Sequence, residues 1–308
     1  VIKVAIVFYF FLILFWIDTH PNIIVLPYKI IIAALTNTFT TGWPSNLVNG
    51  NYYLSHEVPK LYLLISIIYK SPEYFLIAYL IFFALITKSN FFFKEKFVHF
   101  NYKLYFIFFL LLYSIFLVFL VPFPLYDGMR LFLWSVPYFC IIPGLTIYYL
   151  IENFNKKITK ITSIFLFLCT IYFFYNFFTI TPYQYIYLNA LNGNIEQRFQ
   201  RFENDYWGVS IKELIKYTNF ENDKNIKIAT CGVNSAIVKK YLKQKGIFIN
   251  KFFTPEESDY LIMTNRVVFA EDVYSRNLTN CLDKFKGKNI FKVQRNNLIL
   301  SVVRKAEN

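Results

Sequence analysis

The sequence predicts a polytopic α-helical membrane protein that ends in a water-soluble α/β domain. Three observations predict it: a series of long apolar runs, an uneven division of charge, and a change of hydrophobic period after residue 180. The chain is 56% hydrophobic and 17% charged, where a soluble globular chain carries about 25% charged residues. The deficit is local. Residues 1–180 hold 12 Lys/Arg and 6 Asp/Glu, and residues 181–308 hold 20 and 13. A transmembrane bundle over 1–180 and an extracytoplasmic domain over 181–308 follow.

About five spans are expected: Val1–Ile17, Pro72–Thr87, Leu104–Val121, Leu131–Ile151 and Ile161–Ile180. Each approaches the ~20 apolar residues that cross a bilayer. The chain begins with Val1 directly in an apolar segment without a signal-peptide cleavage site, which reads as a fragment lacking its N-terminal part. Lys88, Lys94, Lys96 and Lys103 crowd one loop and Lys156, Lys157 and Lys160 another, whereas the alternate loops are poor in cations. The positive-inside rule puts those two loops in the cytoplasm. The loop 18–71, the loop 122–130 and everything after 180 then lie outside. Localisation is therefore the cytoplasmic membrane, with the C-terminal domain on the far side.

The outer loop 18–71 carries more than linker. A short apolar run from Pro27 starts like an interfacial helix. Leu61–Tyr69 either joins Pro72–Thr87 as one kinked helix or lies on the outer surface. In the soluble half, Ser210 and Glu213 have capping-box spacing. Strands are expected at Ile226–Cys231, Ile247–Phe253 and Tyr260–Thr264, and a helix at Ala236–Lys245. Asn296-Asn297 between two strand-like runs is a hairpin signal. A partly parallel sheet with a terminal hairpin results.

Cys140 and Cys169 lie in apolar segments. Cys231 and Cys281 are able to pair if their domain is extracytoplasmic. No Cys/His cluster suggests a metal site, no cofactor is expected, and a divalent-metal requirement is not legible. The net charge of +13 is divided between loop anchors and a mildly basic outer domain, with no nucleic-acid-binding motif.

Several polar groups fall at the outer membrane edge, each with two readings. Tyr126, Asp127 and Arg130 form a helix cap with an interfacial anchor, or a holder for a lipid-linked phosphate. His56 and Glu57, with Lys60, form a solvated turn or a substrate contact. Lys70 and Glu73 make an interfacial salt bridge or a phosphate contact. Asp205 and Trp207 dock the soluble domain or meet a sugar ring. Asn277-Leu-Thr279 fits a glycosylation sequon.

The stretch Thr181-Pro-Tyr-Gln-Tyr-Ile-Tyr-Leu-Asn189, followed by Arg201-Phe-Glu-Asn-Asp-Tyr-Trp-Gly208, directly after the last apolar run, is the most distinctive feature. It resembles the C-terminal part of bacterial integral-membrane glycosyltransferases of the GT-C fold, the group of protein O-mannosyltransferases and lipid A aminoarabinose transferase. Trp43 to Glu73 and Tyr126-Asp-Gly-Met-Arg130 with Pro137 are similar to two further blocks of that family, with Leu131 where His is common. The resemblance covers the family's C-terminal half. It implies inverting transfer of a hexosyl or pentosyl unit from a polyprenyl-phosphate donor to an extracytoplasmic protein, lipid or glycan. It also implies a catalytic carboxylate in a first outer loop, expected upstream of Val1. The rival classes are a non-catalytic assembly or anchoring protein and a transporter. The transporter is disfavoured by spans almost free of charge.

Overall fold

The computed structural model describes residues 2–15, 20, 22, 25, 45–120, 125–220, 226–268 and 278–305. The run from Pro27, Trp43 and Asn277 lie outside them.

The apolar runs form helices, because a segment in lipid must satisfy every backbone polar group internally. They are α1 (Ile2–Phe15), α2 (Tyr62–Lys70), α3 (Glu73–Lys88), α4 (Asn90–Lys96), α5 (Phe100–Leu120), α6 (Val136–Glu152) and α7 (Lys157–Thr179). A 3₁₀ segment, Arg130–Ser135, leads into α6. Among the described residues three helices are long and apolar enough to cross a membrane, and four if α2 and α3 count as one broken span. Of the five expected spans, the first is described only over Ile2–Phe15, its remaining residues lying outside the described set. The run at 61–87 is bent by 109° between α2 and α3, where Ser71-Pro72 interrupts the helix.

α3, α4, α5 and α6 share a core of Ala78, Phe82, Phe93, Leu104, Ile142 and Leu150. Thr146 bridges α6 to α3 through the Ala78 carbonyl at 2.9 Å. At one end of the bundle Lys96 pairs with Glu152 at 3.3 Å, so the two lysine-rich loops lie on the same side. At the other end the hairpin β1 (Ser45–Val48) and β2 (Asn51–Leu54) meets the loop before Arg130: Leu125 N donates to Ser55 O at 2.9 Å.

The C-terminal part is built on a four-stranded sheet. Its strands are β3 (Ile228–Cys231), β4 (Tyr260–Thr264), β7 (Lys288–Arg295) and β8 (Leu298–Lys305), in the order β3-β4-β8-β7. β3 and β4 are parallel and the remaining pairs antiparallel. α8 (Ile211–Tyr217) and α9 (Ser235–Gln244) cover one face through Ile211, Leu214, Val238 and Leu242. A second small ladder joins β5 (Val267–Val268) to β6 (Thr279–Asn280), followed by α10 (Cys281–Lys284). The hairpin turns where expected. Asn296 and Asn297 take φ of 49° and 64°, the left-handed pair that a two-residue turn of this hand requires.

Two local expectations fail. Ile247–Phe253 is not a strand: Ile247, Ile249 and Phe252 pack against the core as partly buried side chains without a ladder partner. Ser210 and Glu213 do not form a capping box. Ser210 Oγ instead meets Asp205 and Ser301, and Glu213 is held by Arg295 and Tyr183.

Residues 181–204 strap the two halves together. Tyr183 and Ile186 belong to the core of the C-terminal sheet, whereas Leu188 and Phe202 pack with Tyr62, Leu63 and Ile67 of α2. Alternate tyrosines each donate to a different carboxylate: Tyr183 to Glu213, Tyr185 to Asp205, and Tyr187 to Glu73. Burial raises the phenol pKa of all three. Asn189 Nδ2 donates to the carbonyls of Ile68 and Ser71, and Asn192 Nδ2 to that of Tyr69. Those are orphan acceptors at the C-terminal end of α2, so the strap fixes the bend.

Candidate functional site

The break between α2 and α3, the ends of α5 and α7, and the start of the 3₁₀ segment converge where the bundle meets the C-terminal sheet. Charges gather there. Asp127 sits on a turn with φ of 55°, followed by Gly128 at 68°. Gly128 N donates to Tyr62 Oη at 2.7 Å. A Cβ at Gly128 would lie 2.9 Å from Lys70 Nζ. The left-handed backbone favours glycine here, and any side chain would also displace the ammonium end of Lys70.

Asp127 is buried and paired twice. Its Oδ1 accepts from Arg266 Nη2 at 2.6 Å and its Oδ2 from Arg130 Nη1 at 3.3 Å. Arg266 also faces Glu203, with Nε 3.6 Å from Oε2, and Val267 N donates to Glu203 Oε1 at 3.0 Å. Burial, reinforced by the charge of Asp127, pushes the Glu203 carboxyl up to about 7 against the opposing pull of Arg266. Among the described residues Lys70 Nζ has no ion-pair partner. It lies over the rings of Phe202 and Tyr206, 5.5 and 5.9 Å from their centroids. The Arg130 side chain is 52% exposed, with its guanidinium carbon 5.8 Å from the Trp207 ring centre. Trp207 is half exposed and stacks on Tyr185 at 5.7 Å.

Lys70, Arg130 and Arg266 thus stand against Asp127 and Glu203, an excess of one cation when both carboxylates are ionised. Desolvated charge needs compensation, and the open side of the cluster is walled by Arg130 and Trp207. An anion with a ring or apolar portion complements it: two donor groups for the charge and an aromatic face beside them.

Of the residues singled out in the sequence, Asp127, Arg130, Lys70 and Trp207 come together here, and Tyr126 precedes Asp127 in the chain. Asp205 is near but fully buried. Its oxygens accept from Tyr185 Oη, Ser210 Oγ and the backbone amides of Val209 and Ser210, so it shapes the loop that presents Trp207. His56 and Glu57 lie on the exposed turn after β2 and face each other at 3.9 Å. Lys60 lies over the Phe119 ring. The expected Lys70–Glu73 salt bridge does not form. The 109° bend carries Lys70 into the cluster, and Glu73 accepts from Tyr187 Oη and Ala190 N at 2.6 and 2.8 Å. Glu203 and Arg266 were not foreseen. Glu203 lies inside the distinctive 201–208 block, whereas Arg266 has no signal in its neighbours. Among the described residues no group of His, Cys, Asp and Glu is arranged to hold a metal ion.

Comparison with protein-family models, curated proteins and solved structures finds no match to this chain, so the functional reading rests on the residues themselves.

Proposed function

We propose that this chain is part of a membrane glycosyltransferase of the GT-C type, which moves a sugar from a polyprenyl-phosphate donor to an extracytoplasmic acceptor. The observation that carries the reading is the cationic excess of Lys70, Arg130 and Arg266 at the end of a bundle of apolar helices. The reading puts this end of the bundle at the depth of a lipid phosphate, a group that Arg and Lys donors recognise. Arg130 offers its guanidinium fork to the phosphate, Lys70 adds a point charge, and Asp127 orients Arg130. Trp207 supplies a face for the sugar or the first prenyl units.

The deprotonation of the acceptor is assigned to no residue described. Asp127 and Glu203 are committed to Arg266, and Asp205 to its loop. A non-catalytic anchoring protein is the second reading, favoured by how fully these buried carboxylates are satisfied.

The test is turnover of a polyprenyl-phosphate sugar by the full-length protein. Arg130→Ala is expected to lower donor use by roughly 1.5–3 kcal/mol of transition-state or binding energy, the range for a hydrogen bond to a charged group. Arg130→Lys should recover part of it, since charge returns without the fork. Wild-type turnover in Arg130→Ala contradicts the reading.

A further inference from the structure

Arg266 reaches the cluster on a short arm, Asn265-Arg266, between β4 and β5. Each flank of the arm is tied down. Asn265 Nδ2 donates to the carbonyls of Phe199 and Phe202 at 2.9 Å, and Asn265 Oδ1 accepts from Asn204 N at 2.8 Å. On the other flank Asn280 Nδ2 donates to Asn265 O at 2.8 Å, and Cys281 N donates to Arg266 O at 3.0 Å. Cys281 is bonded to Cys231 at the end of β3. Thr264 Oγ1 closes the ring of contacts on Gly232 O at 2.8 Å.

Gly232 shows how tightly the disulfide and the arm are packed. A Cβ there would lie 2.9 Å from each of Arg266 Cβ, Cys281 Sγ and Thr264 Oγ1. Both half-cystines are buried. The covalent bond therefore spans the root of the arm, joining β3 on one side to the β6–α10 segment that holds the Arg266 carbonyl on the other. β6 and α10 are short, two and four residues, and contribute little holding power of their own.

We infer that the Cys231–Cys281 disulfide is a positioning element for the charge cluster: it fixes the Asn265-Arg266 arm so that Arg266 meets Asp127 and Glu203. Opening the bond is a two-electron reduction. An external dithiol attacks one sulfur, the S–S bond breaks, each cysteine gains a hydrogen, and the dithiol closes to its own disulfide. The β6–α10 segment then loses its tie to β3. The Arg266 guanidinium withdraws, leaving Asp127 buried with only the more exposed Arg130 beside it. The assembled site thus belongs to the oxidised state, and the inference holds whatever anion the site takes.

Hydrogen exchange on the membrane-embedded full-length protein tests this without any assay of activity. The peptide covering residues 126–130 reports the Asp127 turn, and amides of β8 report the outer fold. Cys231→Ala/Cys281→Ala is expected to speed exchange over 126–130 by about tenfold or more, the scale of one lost charge-assisted hydrogen bond, with β8 still protected. Arg266→Met, with the disulfide intact, should give the same local acceleration. Unchanged exchange over 126–130 in either variant overturns the inference. So does loss of protection throughout β8 in the double variant, because the bond would then hold the domain's fold and not its arm.

Discussion

Arg266, from the C-terminal sheet region, donates to Asp127, on the turn before α6, across 2.6 Å, with both side chains almost wholly buried. The two halves of the chain therefore share one electrostatic unit. Removing one partner of a buried pair typically costs about 3–5 kcal/mol, because the other charge stays desolvated. Asp127→Asn and Arg266→Met should each destabilise the docked C-terminal domain on that scale. The double variant should cost less than the sum of the singles. Thermal unfolding of all four proteins checks this; strictly additive losses contradict the pairing.

Glu203 makes the junction sensitive to pH. Its carboxyl ordinarily titrates at 4.5 and is pushed up to about 7 in the fold, chiefly by burial. Between these values the folded state holds a proton that the unfolded state has released. The slope of stability with pH is therefore negative. The contribution is fully present below 4.5, falls as pH rises through that window, and is lost above about 7. Glu203→Gln cannot titrate, so its stability should vary less between pH 5 and 7 than that of the wild type. Equal slopes in the two proteins, measured by denaturation at several pH values, contradict this.

Sidedness is predicted from charge. The Lys96–Glu152 pair joins the two lysine-rich loops at one end of the bundle, and the positive-inside rule assigns that end to the cytoplasm. In a background with Cys140 and Cys169 replaced by alanine, cysteine at position 94 should resist an impermeant reagent in intact cells. Cysteine at 288 should react. The opposite pattern reverses the orientation.

The sequence revealed what depends on local pattern. The apolar runs marked α5 and α7, and the Asn296-Asn297 pair marked the turn. It also drew attention to 181–208, where the alternate tyrosines and Asn189 now have structural tasks. What it withheld depends on long-range approach. Arg266 lies 139 residues from Asp127, and nothing around it distinguishes it from a surface arginine. Lys70 and Glu73 stand three apart, a spacing suited to pairing on a continuous helix, but the bend at Ser71-Pro72 sends them to different partners. Ser210 and Glu213 satisfied a capping pattern whose side chains were claimed by Asp205, Ser301 and Arg295.

The central claim is that Lys70, Arg130 and Arg266 together hold a lipid-linked phosphate at the membrane edge. Equilibrium binding of a polyprenyl phosphate to the protein in nanodiscs tests it most directly, with the corresponding uncharged polyprenol as the control. The account predicts that the phosphate binds more tightly than the alcohol. It also predicts that Lys70→Met and Arg130→Ala each weaken the phosphate by about tenfold or more while leaving the alcohol unchanged, as expected for one lost charge-assisted contact. Equal affinity for phosphate and alcohol, or unaltered phosphate binding in both variants, would contradict it.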